Sequence, residues 1–325
     1  MSTMTPAAAP LDQRERRRHK LRNLAQSVLL LCGMLGLLVA CMALLFGEDG
    51  AIWGVVGWGV ALLFSPHVSP RLVLGLYRGE RLGPADFPDG FAALRRLAER
   101  AGLERLPALY YVPSAAVNAF TLGSLSDAAI AITDGMLRTL TLRELTGVLA
   151  HEISHVRNND LWIMSLADSI SRLTGMMAFA GMVLIFVSLP MMLVGLVSFP
   201  LLLIVLLIFA PTVGSLLQLA LSRAREYDAD LDAAGLTGDP VGLASALEKL
   251  ERLQVGGWER ILFPGRGMPD PSLLRTHPPT GERVRRLLAL RPPAGEHAAA
   301  QPVRLAHHLP VVETPPRWRP TGLWY

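Results

Sequence analysis

Charge is scarce in this chain, and three long stretches have almost none. Of its 325 residues, 18% are Asp, Glu, Lys or Arg and 51% are hydrophobic, whereas an ordinary soluble domain is about 25% charged. Residues 23–47 contain no ionisable Asp, Glu, Lys, Arg or His, residues 51–70 have only His67, and residues 173–222 carry no charge at all. A bilayer core about 30 Å thick takes about 20 helical residues per crossing. The first two runs therefore each fit one span, and the third fits two spans joined by a turn. This excludes a wholly soluble enzyme. Cysteine is nearly absent too. Cys32 and Cys41 both lie in the first run, on opposite faces of a helix where they cannot pair, so a disulfide framework and a thiolate metal site are both excluded. Lysine is limited to Lys20 and Lys249, so arginine supplies nearly all the positive charge behind the net +4. No interleaved basic and aromatic stripe accompanies it, which argues against a nucleic-acid partner.

The charges that are present orient the chain. Arg14, Arg16, Arg17, Arg18, Lys20 and Arg22 precede the first run, Glu48 and Asp49 lie between the first two, and Arg71, Arg78 and Arg81 follow the second. The positive-inside rule places the N-terminus in the cytoplasm, the acidic loop outside and the chain from Arg71 onward back inside. Leu38-Val39-Ala40-Cys41 resembles a lipoprotein processing box, but apolar sequence continues past Cys41. A secretory signal has an apolar core of only about 7–15 residues, so an uncleaved anchor is expected. The organisation expected is a basic cytoplasmic segment over residues 1–22 and a transmembrane hairpin over 23–70, with spans at about 24–46 and 51–70. A water-exposed domain follows over 71–172, interrupted by a second hairpin over 173–217 (spans at about 174–194 and 197–217) and resumed over 218–291. The Pro-rich tail of 292–325 has the composition of a disordered segment.

Within the water-exposed part, apolar residues at helical spacing over 86–101 predict an amphipathic helix. Residues 106–112, 116–121 and 128–133 read as short strands, with Asp134-Gly135 as a turn. Thr141 and Glu144 form a capping box that starts a helix expected to run to about Asp160. A charged helix is expected from about Gln218 to a cap at Gly235, and another from Asp239-Pro240 to about Leu253.

His151-Glu152-Ile153-Ser154-His155 lies inside the capped helix. Positions i and i+4 share a helical face, so the two imidazoles can hold one Zn²⁺, with Glu152 placed beside the metal's open position as a general base. A catalytic zinc takes three protein ligands. The charged helix supplies the third, because Glu226 and Asp230 are cofacial: Glu226 is read as the ligand and Asp230 as a carboxylate that orients a histidine.

Three segments, His151-Glu-Ile-Ser-His-Val-Arg-Asn-Asn-Asp160, Ser222-Arg-Ala-Arg-Glu-Tyr-Asp-Ala-Asp230 and Thr276-His-Pro-Pro-Thr-Gly-Glu-Arg283, resemble the HtpX-type membrane zinc metalloproteases, a family also similar to the CAAX prenyl-protein endopeptidases. The resemblance covers about residues 75–290. It implies an α-helical membrane protein with an α+β zincin-like protease domain: four transmembrane helices, a small edge sheet and two ligand-bearing helices. It also implies His151, His155 and Glu226 as ligands of one Zn²⁺ and Glu152 as the base, with Asp160 and Asp230 behind the ligands. Asn118 and Ala119 would line a cleft beside an edge strand, His277 would face the reacting carbonyl, and Arg283 would anchor its loop near the substrate. The function implied is endoproteolysis of membrane or misfolded polypeptides at the cytoplasmic face of a bacterial inner membrane. A CAAX-type endopeptidase and a catalytically inactive membrane scaffold are the alternatives. An intramembrane site is set aside, since Glu144, Arg157 and Asp160 flank the motif and a charge at mid-bilayer costs at least a few kcal/mol.

Overall fold

The computed structural model describes residues 13–63, 69–254, 278–290 and 303. These divide into two compact units, one within 1–20, 67–161 and 226–325 and the other within 21–66 and 162–225.

The second unit is helical. Helix α1 (Gln13–Leu63) carries both of the first two apolar runs and breaks at Gly47, with φ 72° and ψ −159°, backbone that only glycine adopts without strain. A side chain at Gly54 would come within 3.0 Å of Met42, so the chain folds back on itself after the break. α6 (Asp160–Leu193) and α7 (Leu201–Thr237) follow later in the chain. The helical regions Lys20–Val60, Asp160–Leu193 and Leu201–Thr237 are each long and apolar enough to cross a membrane. They display large apolar side chains outward, including Phe179, Phe186 and Leu193, as a lipid-facing surface requires. Inside, Met34 and Leu38 of α1 pack with Ala167 and Ile170 of α6 and Leu221 of α7.

The first unit holds a small mixed sheet in the order β1-β2-β4-β3. Its strands are β1 (Glu80–Arg81), β2 (Ala108–Val112), β3 (Ala119–Leu122) and β4 (Ala129–Thr133). β2 and β4 run parallel, while β1 and β3 pair antiparallel at the two edges. The two-residue β1 carries no periodic signal and was not expected. Helices α2 (Pro70–Leu76), α3 (Pro88–Ala101), α4 (Asp134–Thr139), α5 (Leu142–Arg157), α8 (Pro240–Gln254) and α9 (Thr280–Ala289) surround the sheet. One core joins Phe87, Leu94 and Leu97 of the α3 region with Leu109, Ile130 and Ile132 of the sheet, Leu145 and Leu149 of α5, Leu243 of α8 and Leu287 of α9.

Three local expectations need correction. Asp134-Gly135 does not form a turn but opens α4, because the Thr133 hydroxyl accepts from the Met136 N–H as an N-cap. The motif helix ends at Arg157, since Asn159 takes a left-handed φ of 53° and Asp160 starts α6. Gly235 lies within α7; the chain leaves the helix at Gly238, where φ is +70°. Asparagine tolerates a left-handed conformation better than most residues, which is why the break at Asn159 does not stand out in the residue pattern. His277 and the tail beyond Leu290, Val303 excepted, lie outside the described residues.

Candidate metal centre and active site

Helix α5 owes its register to its first turn. The Thr141 hydroxyl accepts from the Glu144 N–H while the Glu144 carboxylate accepts from the Thr141 N–H, completing the capping box. Glu144 also receives Ser245 Oγ at 2.5 Å and Lys249 Nζ at 2.7 Å, both from α8. Burial alone would raise the Glu144 carboxyl, but the bonds from Lys249, Ser245 and Thr141 outweigh it and hold the group below its ordinary value. Arg143 and Asp239 form a second ion pair linking α5 to the start of α8. Two and three turns further along α5, this clamped helix presents His151, Glu152 and His155, all buried.

Those two histidines converge with Glu226 of α7. Their Nε2 atoms are 3.1 Å apart, Glu226 Oε2 is 3.5 Å from His151 Nε2, and Glu226 Oε1 is 3.6 Å from His155 Nε2. Each imidazole faces a different oxygen of the Glu226 carboxylate, and with one ligand atom taken from each residue the three lie within 4.8 Å of one another. His151, His155 and Glu226 are thus able to hold a metal ion.

Behind them stand three further charged groups. His155 Nδ1–H donates to Asp160 Oδ2 at 2.8 Å, which leaves the Nε2 lone pair directed at the centre. His151 Nδ1 lies 3.1 Å from Asp230 Oδ1, in ion-pair range but off the line of a hydrogen bond. The attraction still acts: burial would lower the His151 pKa, yet Asp230 and Glu226 lift it to about 9. Arg283 of α9 grips Asp230 with two parallel bonds of 2.7 Å and lies 3.4 Å from Glu226 Oε2. Burial opposes the charge on both partners, but Arg283 holds the Asp230 carboxyl below the usual range while Asp230 keeps the Arg283 guanidinium charged. The resemblance implied that Arg283 anchors its loop through a carboxylate near the substrate; the carboxylate it meets is Asp230, and the guanidinium is buried.

Asn118 and Ala119 sit at the entry to the edge strand β3. The Asn118 backbone is tied to β4, its N–H donating to Thr133 Oγ1 at 2.9 Å and its carbonyl accepting from Thr133 Oγ1 at 2.8 Å. One contact had no forewarning in the motifs: Thr121 of β3 donates its hydroxyl to Glu152 Oε2 at 2.6 Å. The only sequence signal for it is a hydroxyl in an otherwise apolar row.

Two imidazoles and a carboxylate around one point, with a second glutamate beside them on the motif helix, define a metallohydrolase centre of the H-E-x-x-H class. Comparison with known proteins narrows the class. Residues 86–291 match the model of peptidase family M48. A "Protease HtpX homolog" of Acaryochloris marina is 37% identical over 277 residues, covering 79% of this chain and 92% of that protein. Another from Methylibium petroleiphilum is 35% identical over 288 residues, covering 83% and 98%. The crystal structure of S. mikatae Ste24p aligns with 83% of this chain and 66% of its own at 21% identity and a TM-score of 0.43, too low to equate the two folds. The chain belongs to peptidase family M48 and is a metalloendopeptidase.

Proposed function

We propose that this protein is a membrane-anchored zinc endopeptidase that hydrolyses peptide bonds of membrane or misfolded polypeptides at the cytoplasmic face of a bacterial inner membrane. The observation that carries this reading is the convergence of His151 Nε2, His155 Nε2 and the Glu226 carboxylate on one buried point. One Zn²⁺ per chain would be held by these three groups, with Asp160 and Asp230 orienting the imidazoles and Arg283 fixing Asp230. When bound, zinc lowers the pKa of water from about 15.7 to near 7 and polarises a carbonyl. Glu152 takes the proton of the attacking water on its carboxylate and delivers it to the leaving amine. The outer edge of β3, which pairs only with β4 among the described residues, would offer backbone groups to an extended substrate that docks by adding a strand, with Asn118 and Ala119 at its entry. His277, which precedes Pro278 and Pro279 in the sequence, would donate to the developing oxyanion.

The membrane setting follows from charge and length. The two limbs of α1, folded back at Gly47, count as two crossings and the apolar parts of α6 and α7 as two more, giving four. The arginines before and after the first pair put both termini and the catalytic residues inside. Glu226 lies one helical turn, about 6 Å, beyond Ser222, the end of the uncharged run, so the centre belongs near the bilayer surface. Substrates would therefore be segments presented there.

The test is purified protein in detergent, assayed for metal content and for cleavage of casein with and without chelator. Stoichiometric zinc and chelator-sensitive cleavage are expected, and Glu152→Gln should keep its zinc while losing at least about a hundredfold in rate. Zinc-free protein that still cleaves, or a zinc-loaded Gln variant at wild-type rate, would overturn the reading.

A further inference from the structure

Strand β3 alternates its side chains between two faces. Phe120 turns to one side and packs against Tyr77, their ring centres 6.0 Å apart. Ala119 and Thr121 turn to the other, where Ala119 packs against the main core and Thr121 sits opposite Ile130 of β4. A residue here that is 4% exposed, among Ile130 and Ile132, should be Val or Ile by packing and strand preference alone. It is threonine, the isostere of valine with one methyl replaced by hydroxyl. That hydroxyl costs free energy to bury unless it is bonded. Its proton goes to Glu152 Oε2 at 2.6 Å, while the Glu152 backbone carbonyl is much farther at 3.4 Å. At 2.6 Å the carboxylate contact is the closer of the two and a well-formed O–H···O bond.

Glu152 needs such a restraint. Its neighbours on α5 are locked in place, His155 by Asp160 and His151 by the paired charges of Asp230 and Arg283. The glutamate side chain has three rotatable bonds, and among the described residues Thr121 is the group that hydrogen-bonds its carboxylate. We propose that Thr121 is a positioning residue for the reaction: its hydroxyl pins one carboxylate oxygen of Glu152 and so aims the other at the attacking water. Because Thr121 belongs to the edge strand that would receive the substrate under the proposed reading, the same four residues set both the docking line and the direction of the base. This inference rests on Glu152 being the general base, as proposed above.

Full-length protein in detergent is assayed on fluorescein-labelled casein with four variants: Thr121→Val, Thr121→Ser, Thr121→Ala and Glu152→Gln. Thr121→Val preserves shape and removes the bond. It should lower kcat by about tenfold to a hundredfold, the scale of an ångström-sized misplacement of a reacting group, with KM and bound zinc unchanged. Thr121→Ser keeps the hydroxyl and should restore kcat to near wild type. If Thr121→Val does not fold, the Ser and Ala variants differ by the hydroxyl alone, and the same kcat gap is expected between them. Wild-type kcat in the Val or Ala variant, loss of zinc, or a rise in KM at constant kcat each overturns the positioning role. An active, zinc-loaded Glu152→Gln variant would instead remove the base assignment itself, so the two failures are separable.

Discussion

Each histidine at the centre has a carboxylate behind it, and the two pairs are built differently. Asp160 lies just past the end of α5 and accepts directly from His155 Nδ1 at 2.8 Å. Asp230, on α7, faces His151 Nδ1 at 3.1 Å without alignment and is itself clamped by the planar fork of Arg283, a two-bond grip that a lysine could not reproduce. The His155 pair therefore fixes a tautomer, whereas the His151 pair fixes a charge balance. In the proposed zinc centre, Asp160→Asn would remove the acceptor charge behind His155, and zinc affinity should fall about tenfold to a hundredfold. Competition with a fluorescent chelator measures this, and unchanged affinity would show that Asp160 serves only the start of α6. At this scale helical periodicity made legible that His151 and His155 share one face and that Glu226 and Asp230 share another, because i and i+4 lie one turn apart. The Thr121 contact was not legible, because nothing in a local pattern says which buried strand hydroxyl meets which helix.

Helix α5 is the element on which the centre depends, and its N-terminus is where it is held. Glu144 closes the capping box and accepts from Ser245 and Lys249 of α8, joining two segments separated in sequence by the long apolar insert. Glu144→Gln should destabilise the protein by about 1–2 kcal/mol, through a weakened cap and a lost charged acceptor. The dependence on pH has a definite sign. A carboxyl held below its ordinary value of 4.5 contributes stability that is complete above that value and is lost as pH falls through the lower folded value. The gap in melting temperature between wild type and Glu144→Gln should thus be full at pH 6 and shrink in the acid range. A gap that stays constant down to pH 3 would show that the charge contributes nothing. The capping box could be seen in the sequence as Thr141-x-x-Glu144; its second use, as the landing point for α8, could not.

The whole molecule combines a unit that shows large apolar side chains outward with one that buries them around a sheet. Orientation is the main consequence to test at this scale. A cysteine at position 48, placed by Glu48→Cys in a background lacking Cys32 and Cys41, should react with a membrane-impermeant maleimide in intact spheroplasts. One placed by Glu99→Cys on α3 should react only after lysis. The reverse pattern would put the catalytic unit outside and refute the proposed cytoplasmic site.

Sequence alone determined whatever depends on neighbours close along the chain: which stretches can enter a bilayer, which helix carries the metal motif, where it is capped, and which acidic pair could complete the centre. These follow from hydrophobicity, helical pitch and the chemistry of a helix's first turn. Tertiary structure alone decided what depends on distant segments meeting. It ended the motif helix at Arg157 so that Asp160 could reach back to His155, and turned Arg283 inward onto Asp230. It also placed a strand hydroxyl against Glu152. Such contacts are chosen by packing the sheet, α5, α7 and α9 around one core, and no short-range periodicity encodes them.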